Sequence, residues 1–273
     1  MTSDSGSRRT ALVTGASSGI GEAFASRLGR EGYELILVAR RRERLEKLAR
    51  QIREQAGVTV EVVTADLTDP VGLRQVEDRI LGTATLNLLV NNAGRGDIAP
   101  FTVMPGDLIA NMIALNVTAL TRLSHAALPG MIERGGGTMI NVSSGLAFSI
   151  HPPFSVYGAT KAYVAHFTEL LHEEVGARGI RLQALIPGLT RTNLGNAEAS
   201  GFFDQFPKEM VMAPEDLVDA SLKSLSMGEL FCFPLLDDPL SWEHASRAIR
   251  AIGSSPLKHK PVPRYGLGNA TGG

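Results

Sequence analysis

Short runs of β-prone residues alternate along this chain with longer amphipathic runs, and that alternation limits its possible folds more than any single residue does. A strand buried on both faces reads as a continuous apolar stretch, and strands joined by helical crossovers lie parallel. Runs at Thr10 to Thr14, Glu34 to Ala39, Thr59 to Thr64, Asn87 to Val90, Thr138 to Val142, Arg181 to Ile186 and Leu230 to Phe233 read as strands. Helical periodicity fills the gaps, at about Ile20 to Glu31, Arg42 to Gln55, Pro70 to Leu81, Pro105 to Arg134, Ser155 to Ala177, Pro214 to Met227 and Leu240 to Ile252. The pattern predicts an α/β fold, a doubly wound parallel sheet of about seven strands with helices on both faces, in a single domain over residues 10–252. Residues 1–9, small and polar, are expected to be flexible, and a tail over 253–273 is rich in Pro and Gly without periodicity.

Several function classes are disfavoured at once. Lysine plus arginine number 27 and aspartate plus glutamate 28, for a formal charge of −1, and Arg40-Arg41-Arg42 is the one basic cluster. No nucleic-acid footprint follows from that balance. The first nine residues lack the apolar core of a signal peptide, and no stretch approaches the roughly 20 apolar residues needed to span a bilayer. The expectation is a soluble cytoplasmic protein without a membrane partner. The single cysteine, Cys232, sits in the apolar run Leu230-Phe231-Cys232-Phe233 and reads as a buried thiol. The histidines at 125, 151, 166, 172, 244 and 259 show no ligand spacing, so no metal is expected.

The first strand runs into Thr14-Gly15-Ala16-Ser17-Ser18-Gly19-Ile20-Gly21 and then a helix. Glycines there keep the turn tight and let a pyrophosphate approach the backbone N–H groups and the positive helix end. A dinucleotide cofactor is expected at Gly15, Ser17, Ser18, Gly19, Ile20 and Gly21. The second strand ends not in an acid that would bind the adenosine ribose but in Arg40 and Arg41. A guanidinium there can clamp a 2′-phosphate, which predicts NADP(H). The alternative is that these arginines belong to the charged face of the next helix, with Arg42, Arg44 and Lys47.

Ser143-Ser144 precedes Tyr157-Gly158-Ala159-Thr160-Lys161. If the latter run is helical, Tyr157 and Lys161 lie one turn apart on one face, so an amine can sit beside a phenol and favour its ionised form. A free phenol, with a pKa of roughly 10, exchanges protons poorly near neutrality; one held against an ammonium group does better. Ser144 can hold a substrate oxygen while the proton moves.

Thr14-Gly-x-x-x-Gly-x-Gly21, Asn91-Asn92-Ala93-Gly94, Asn116, Ser144, Tyr157-x-x-x-Lys161 and Pro187-Gly188 stand in the order and spacing of the short-chain dehydrogenase/reductase family, which the chain resembles from about Thr10 to Phe233. The resemblance implies a Rossmann fold and a Ser-Tyr-Lys-Asn tetrad. Tyr157 would give or take the proton on the substrate oxygen, Lys161 would lower its pKa and hold the nicotinamide ribose, Ser144 would orient the carbonyl, and Asn116 would anchor a water leading from Lys161 to solvent. It further implies that Asp66 and Leu67 contact the adenine, that Asn91, Asn92, Ala93 and Gly94 pack the nucleotide ribose, and that Pro187, Gly188, Thr190 and Thr192 hold the nicotinamide carboxamide. Ser143 is expected to be structural. A homodimer or homotetramer is expected, since relatives pair through the helices over 105–134 and 155–177.

The activity so implied is NADP(H)-dependent reduction of a carbonyl substrate to an alcohol. Leu146, Phe148, Ile150, Phe154 and Phe202 suggest an apolar ketone or aldehyde, with Leu146, Phe154 and Phe202 at the substrate beside Ser144 and Tyr157. The segment over 192–213, neither strand-like nor helical but rich in Phe and Met, reads as a lid over the ligand or as ordinary packing. Two other readings are a catalytically silent NADP-binding protein and an epimerase or lyase using the same acid-base pair.

Overall fold

In the computed structural model, which describes residues 9–191, 202–254 and 264, Thr10–Thr14 forms the first strand (β1), every residue of it buried. Burial on both faces requires cover on both, and the following elements supply it: α1 (Gly19–Arg30), β2 (Glu34–Ala39), α2 (Arg42–Ala56), β3 (Val60–Thr64), α3 (Pro70–Leu81) and β4 (Leu86–Asn91). The second half continues with α4 (Gly106–Ile113), a π-helical segment (Ala114–Ala119), α5 (Leu120–Glu133), β5 (Gly137–Val142), α6 (Ser155–Val175), β6 (Ile180–Leu185), α7 (Pro214–Met227), β7 (Phe231–Cys232) and α8 (Pro239–Gly253). All seven strands run parallel in the order β3-β2-β1-β4-β5-β6-β7. The order reverses between β1 and β4, which leaves a crevice outside their carboxyl ends.

Two apolar clusters fill the two sides of the sheet. On one side Phe24 and Leu28 of α1, Leu45 and Leu48 of α2, and Leu217 of α7 pack on Ala11, Val13 and Leu37. On the other, Leu73 and Val76 of α3, Leu123 and Met131 of α5, and Leu171 of α6 pack on Leu12, Leu89 and Met139. Helix ends follow local chemistry: Asp69 caps α3 by accepting from the Gly72 N–H, with Pro70 in its first turn, and α2 and α7 end at Gly57 and Gly228 in left-handed conformations. Through Pro234 the chain forms one compact unit containing the sheet; Leu235–Gly273 forms a second, in which Asp238 caps α8. Among the described residues no helix is long and apolar enough to cross a membrane.

Two features differ from the sequence expectation. The helix read as continuous over 105–134 starts at Gly106 and is interrupted at Ala114–Ala119, where one wider turn is inserted; such turns cluster at functional sites. Of the proposed lid, residues 192–201 lie outside the described residues. The remainder holds two short 3₁₀ turns, Phe202–Gln205 and Lys208–Met210, and Met212 pairs alongside Thr190, its N–H donating to the Leu189 carbonyl at 2.8 Å.

Candidate active site

The Thr14 hydroxyl and the Asn92 amide stitch β1 to β4 at the crevice. Thr14 Oγ1 donates to the Val90 carbonyl (3.2 Å) and accepts from the N–H groups of Asn92 and Ala93 (both 3.0 Å), while Asn92 Nδ2 donates to the Thr14 carbonyl at 2.9 Å. Gly15 has φ +68°, and a Cβ there would stand 2.7 Å from Asn92 Nδ2. A Cβ on Gly21 would stand 2.4 Å from the Gly15 carbonyl oxygen, so turn and helix meet backbone to backbone. Ser18, in extended conformation at the start of α1, makes no side-chain cap, which leaves the N–H groups of the first turn for another acceptor.

Arg41 reaches back over this turn. Its Nη2 donates to Ser17 Oγ (2.9 Å) and Ser18 Oγ (2.7 Å), and its Nε to Ser17 Oγ (3.1 Å). Arg40, largely exposed, stands 3.8 Å from the Asp66 carboxylate. Burial raises the Asp66 pKa, but hydrogen bonds from the Thr68 N–H and hydroxyl and the charge of Arg40 outweigh it and hold the carboxyl below its ordinary value. Two guanidinium groups thus sit at the end of β2 next to the glycine turn.

Across the cleft, Tyr157 and Lys161 project from the first turns of α6, 6% and 4% exposed. Met104 and Met112 are buried against the phenol, Leu146 and Phe154 pack there too, and the Phe154 and Tyr157 rings are 6.5 Å apart. Lys161 Nζ donates to the Val142 carbonyl at 2.8 Å and lies 5.7 Å from the Tyr157 ring centre. Ser143 Oγ donates to the Lys161 carbonyl (2.7 Å), the structural part expected of it, while Ser144 Oγ accepts from the Leu146 N–H (3.2 Å).

The expected lowering of the phenol's pKa is not what this arrangement produces. Burial pushes Tyr157 up to about 12, a hydrogen bond with Ser144 pulling the other way. Burial also brings Lys161 down to about 8. The spacing places the two side chains together, but the apolar surroundings act more strongly on each than they act on one another.

Asn116, 1% exposed, lies in the π segment behind the cleft. Its Oδ1 accepts from the Arg95 N–H (2.8 Å), and its Nδ2 donates to the Arg95 carbonyl (2.8 Å) and Thr160 Oγ1 (2.9 Å). Both N–H groups of the carboxamide are therefore committed to protein groups, while Oδ1 accepts one hydrogen bond. Neither Arg95 nor Thr160 was singled out from the sequence, and a glycine-flanked arginine two residues before an aspartate was the one signal available.

A cleft of about 630 Å³ joins these parts. Its wall brings together the expected Gly15, Ser17, Ser18, Ile20, Arg40, Arg41, Asp66, Leu67, Asn92, Ala93, Gly94, Ser144, Leu146, Phe154, Tyr157, Lys161, Pro187, Gly188 and Thr190, and adds Gly96, Ile98, Leu115 and Phe206. Three expected cofactor contacts lie outside that wall. Asn91, at the end of β4, turns its amide into the protein to donate to Asn141 Oδ1 (2.9 Å) and Ser124 Oγ (3.0 Å), because successive strand residues face opposite ways. Gly19, at φ +58°, and Gly21, against the Gly15 carbonyl, shape the turn without lining the wall. Thr192 and the Phe202 side chain lie outside the described residues. Among the described residues no three His, Cys, Asp or Glu side chains cluster as a metal site requires.

Comparison with known proteins bears on the fold and the family. The family model for short chain dehydrogenase matches residues 9–201. A short-chain dehydrogenase from Sphingobium yanoikuyae, solved in complex with NADPH, is 38% identical with a TM-score of 0.90, over 94% of this chain and 100% of that one. The bulky-bulky ketone specific alcohol dehydrogenase from Comamonas testosteroni is 36% identical with a TM-score of 0.87, over 95% and 99%. A very-long-chain 3-oxoacyl-CoA reductase of Macaca fascicularis is 30% identical over 224 residues, 80% of this chain and 68% of that protein. The chain spans between 57% and 68% of the length of such curated relatives. A seven-stranded parallel sheet, a glycine turn at its switch point and the family match lead to one assignment: the chain belongs to the short-chain dehydrogenase/reductase family.

Proposed function

We propose that the protein is an NADP(H)-dependent reductase of apolar ketones or aldehydes. The observation that carries this is that Ser144, Tyr157 and Lys161 line the same cleft as the glycine turn and the Arg40–Arg41 pair. The residues present suit the dinucleotide. A backbone approach that no Cβ obstructs, uncapped N–H groups at the start of α1 and two guanidinium groups suit a pyrophosphate and a 2′-phosphate. When bound there, reduced nicotinamide supplies the hydride that adds to the carbonyl carbon.

The chain's own residues handle the oxygen. With a pKa near 12, Tyr157 is protonated at neutral pH and donates its Oη proton to the oxygen as negative charge develops on it. The Ser144 hydroxyl donates a hydrogen bond to the same oxygen and fixes the approach of the carbonyl. Lys161, carried on the same helix face, stabilises the phenolate left behind.

Leu146, Phe154, Leu115, Ile98 and Phe206 make the substrate side largely apolar, with Ser149 and His151 at its rim. The ketone and 3-oxoacyl substrates in the relatives' names support a hydrophobic carbonyl compound. The same reading includes a cytoplasmic location and a homodimer or homotetramer; exposed Ile113, Tyr163 and Leu170 on α4 and α6 support the assembly alone. NADPH absorbance followed against a panel of apolar ketones and aldehydes tests the proposal. Tyr157→Phe is expected to bind NADPH normally and lose nearly all turnover; near-normal kcat in that variant refutes the mechanism.

A further inference from the structure

The loop Gly94-Arg95-Gly96-Asp97-Ile98 leaves β4 and forms cleft wall at Gly94, Gly96 and Ile98. Glycines on both sides of Arg95 give this backbone unusual freedom to lose on folding. Two sets of contacts remove that freedom. The N–H and carbonyl of Arg95 are both taken by the Asn116 carboxamide at 2.8 Å. Separately, Arg95 Nε and Nη2 donate to the Asp97 carboxylate at 2.6 and 3.2 Å.

Asp97 is 4% exposed and is the one buried carboxylate among the described residues. A buried carboxylate is costly unless paired and hydrogen-bonded, so its place here calls for a reason beyond packing. The reason lies downstream of Arg95. Asn116 Nδ2 also donates to Thr160 Oγ1 at 2.9 Å, and Thr160 Oγ1 donates to the Tyr157 carbonyl at 2.7 Å. Next to Arg95, a Cβ on Gly94 would stand 3.3 Å from Lys161 Nζ and 3.4 Å from Asn116 Oδ1, so the loop backbone is in close contact with the lysine.

We propose that the Arg95–Asp97 ion pair is a positioning device for turnover, holding the residue 95 backbone where Asn116 grips it and, through Asn116 and Thr160, keeping Tyr157 and Lys161 in their reacting places. Neither side chain handles the substrate. The inference rests on the proposed reduction, and on a general property of enzymes: a displacement of about 1 Å at reacting groups can cost roughly 100-fold in rate.

The test compares wild type, Asp97→Asn, Arg95→Ala and the double variant, using NADPH and the best ketone of the panel. NADPH fluorescence titration gives the fraction of binding sites in each. Each single variant is expected to lower kcat by about tenfold or more with KM for NADPH within about twofold. The double variant is expected to be no slower than the slower single, because the two residues act as a unit. Arg95→Lys, which keeps a cation for Asp97, is expected to recover part of kcat. The proposal is overturned if either single variant keeps kcat within about twofold of wild type. Losses that multiply in the double variant, or a kcat loss matched by lost NADPH sites, also overturn it. Should Asp97→Asn not fold, Arg95→Ala at its half-exposed position decides alone. If wild type reduces no ketone, the functional reading fails by itself; amide exchange over 94–98 and 114–119 then reads the clamp. That exchange should quicken by about tenfold or more in Arg95→Ala, and unchanged exchange would overturn the proposal.

Discussion

Replacing Lys161 by Met separates the energetic burden of the site from its chemistry. Burial brings the Lys161 pKa from 10.5 down to about 8. A displacement of about 2.5 pH units corresponds to roughly 3 kcal/mol, an upper figure for what the buried ammonium costs the folded state at neutral pH. Between pH 8 and 10.5 the unfolded chain binds the proton and the folded one does not, so wild-type stability rises with pH across that window. Tyr157 acts in the opposite sense at higher pH: with its pKa raised from 10 to about 12, the folded state keeps a proton that the unfolded chain releases, and stability falls from pH 10 upwards. Lys161→Met abolishes the first effect. It also strips the Val142 carbonyl of its donor, at about 1–3 kcal/mol, but that loss does not vary with pH. Urea unfolding of both proteins at pH 7, 8, 9 and 10 isolates the titration. Wild-type stability relative to the variant should be flat below pH 7.5 and climb by roughly 2–3 kcal/mol by pH 10. Parallel curves would refute the claim that the site carries a desolvated ammonium.

Arg40→Asp should lower the ratio of NADP(H) to NAD(H) affinity by about 100-fold or more by placing a carboxylate where a 2′-phosphate would lie, and an unchanged ratio by titration would remove Arg40 from the cofactor site. Gly21→Ala sets a methyl 2.4 Å from the Gly15 carbonyl oxygen and should cost about 1–3 kcal/mol in thermal unfolding while weakening NADPH binding. Cys232, buried and with its thiol pushed up to about 11, should resist a disulfide reagent at pH 8 in the native state and react fully in denaturant.

Much of this arrangement was legible in the chain because it is carried by local pattern. Apolar runs with helical runs between them predict a parallel sheet, and all seven expected strands form, each within about two residues of the expected bounds, as such boundaries usually vary. The 3₁₀ turns near Phe202 and the π segment at Asn116 were not legible. A wider turn changes the backbone without changing residue type, and the partner that Asn116 holds from it, Arg95, lies 21 positions earlier, outside any local pattern.

The sequence by itself determined that a glycine turn would follow β1, that two arginines would follow β2, and that Tyr157 and Lys161 would share a helix face. Each of these depends on residues within one or two turns of one another. Only the tertiary structure decided that Asn92 faces the cleft while Asn91 bonds inward to Asn141, that Asp97 is buried beside Arg95, and that the phenol is pushed up rather than down. Burial and electrostatics are set by whatever folds against a side chain from elsewhere in the chain, here Met104 and Met112 against Tyr157, and no local spacing encodes them.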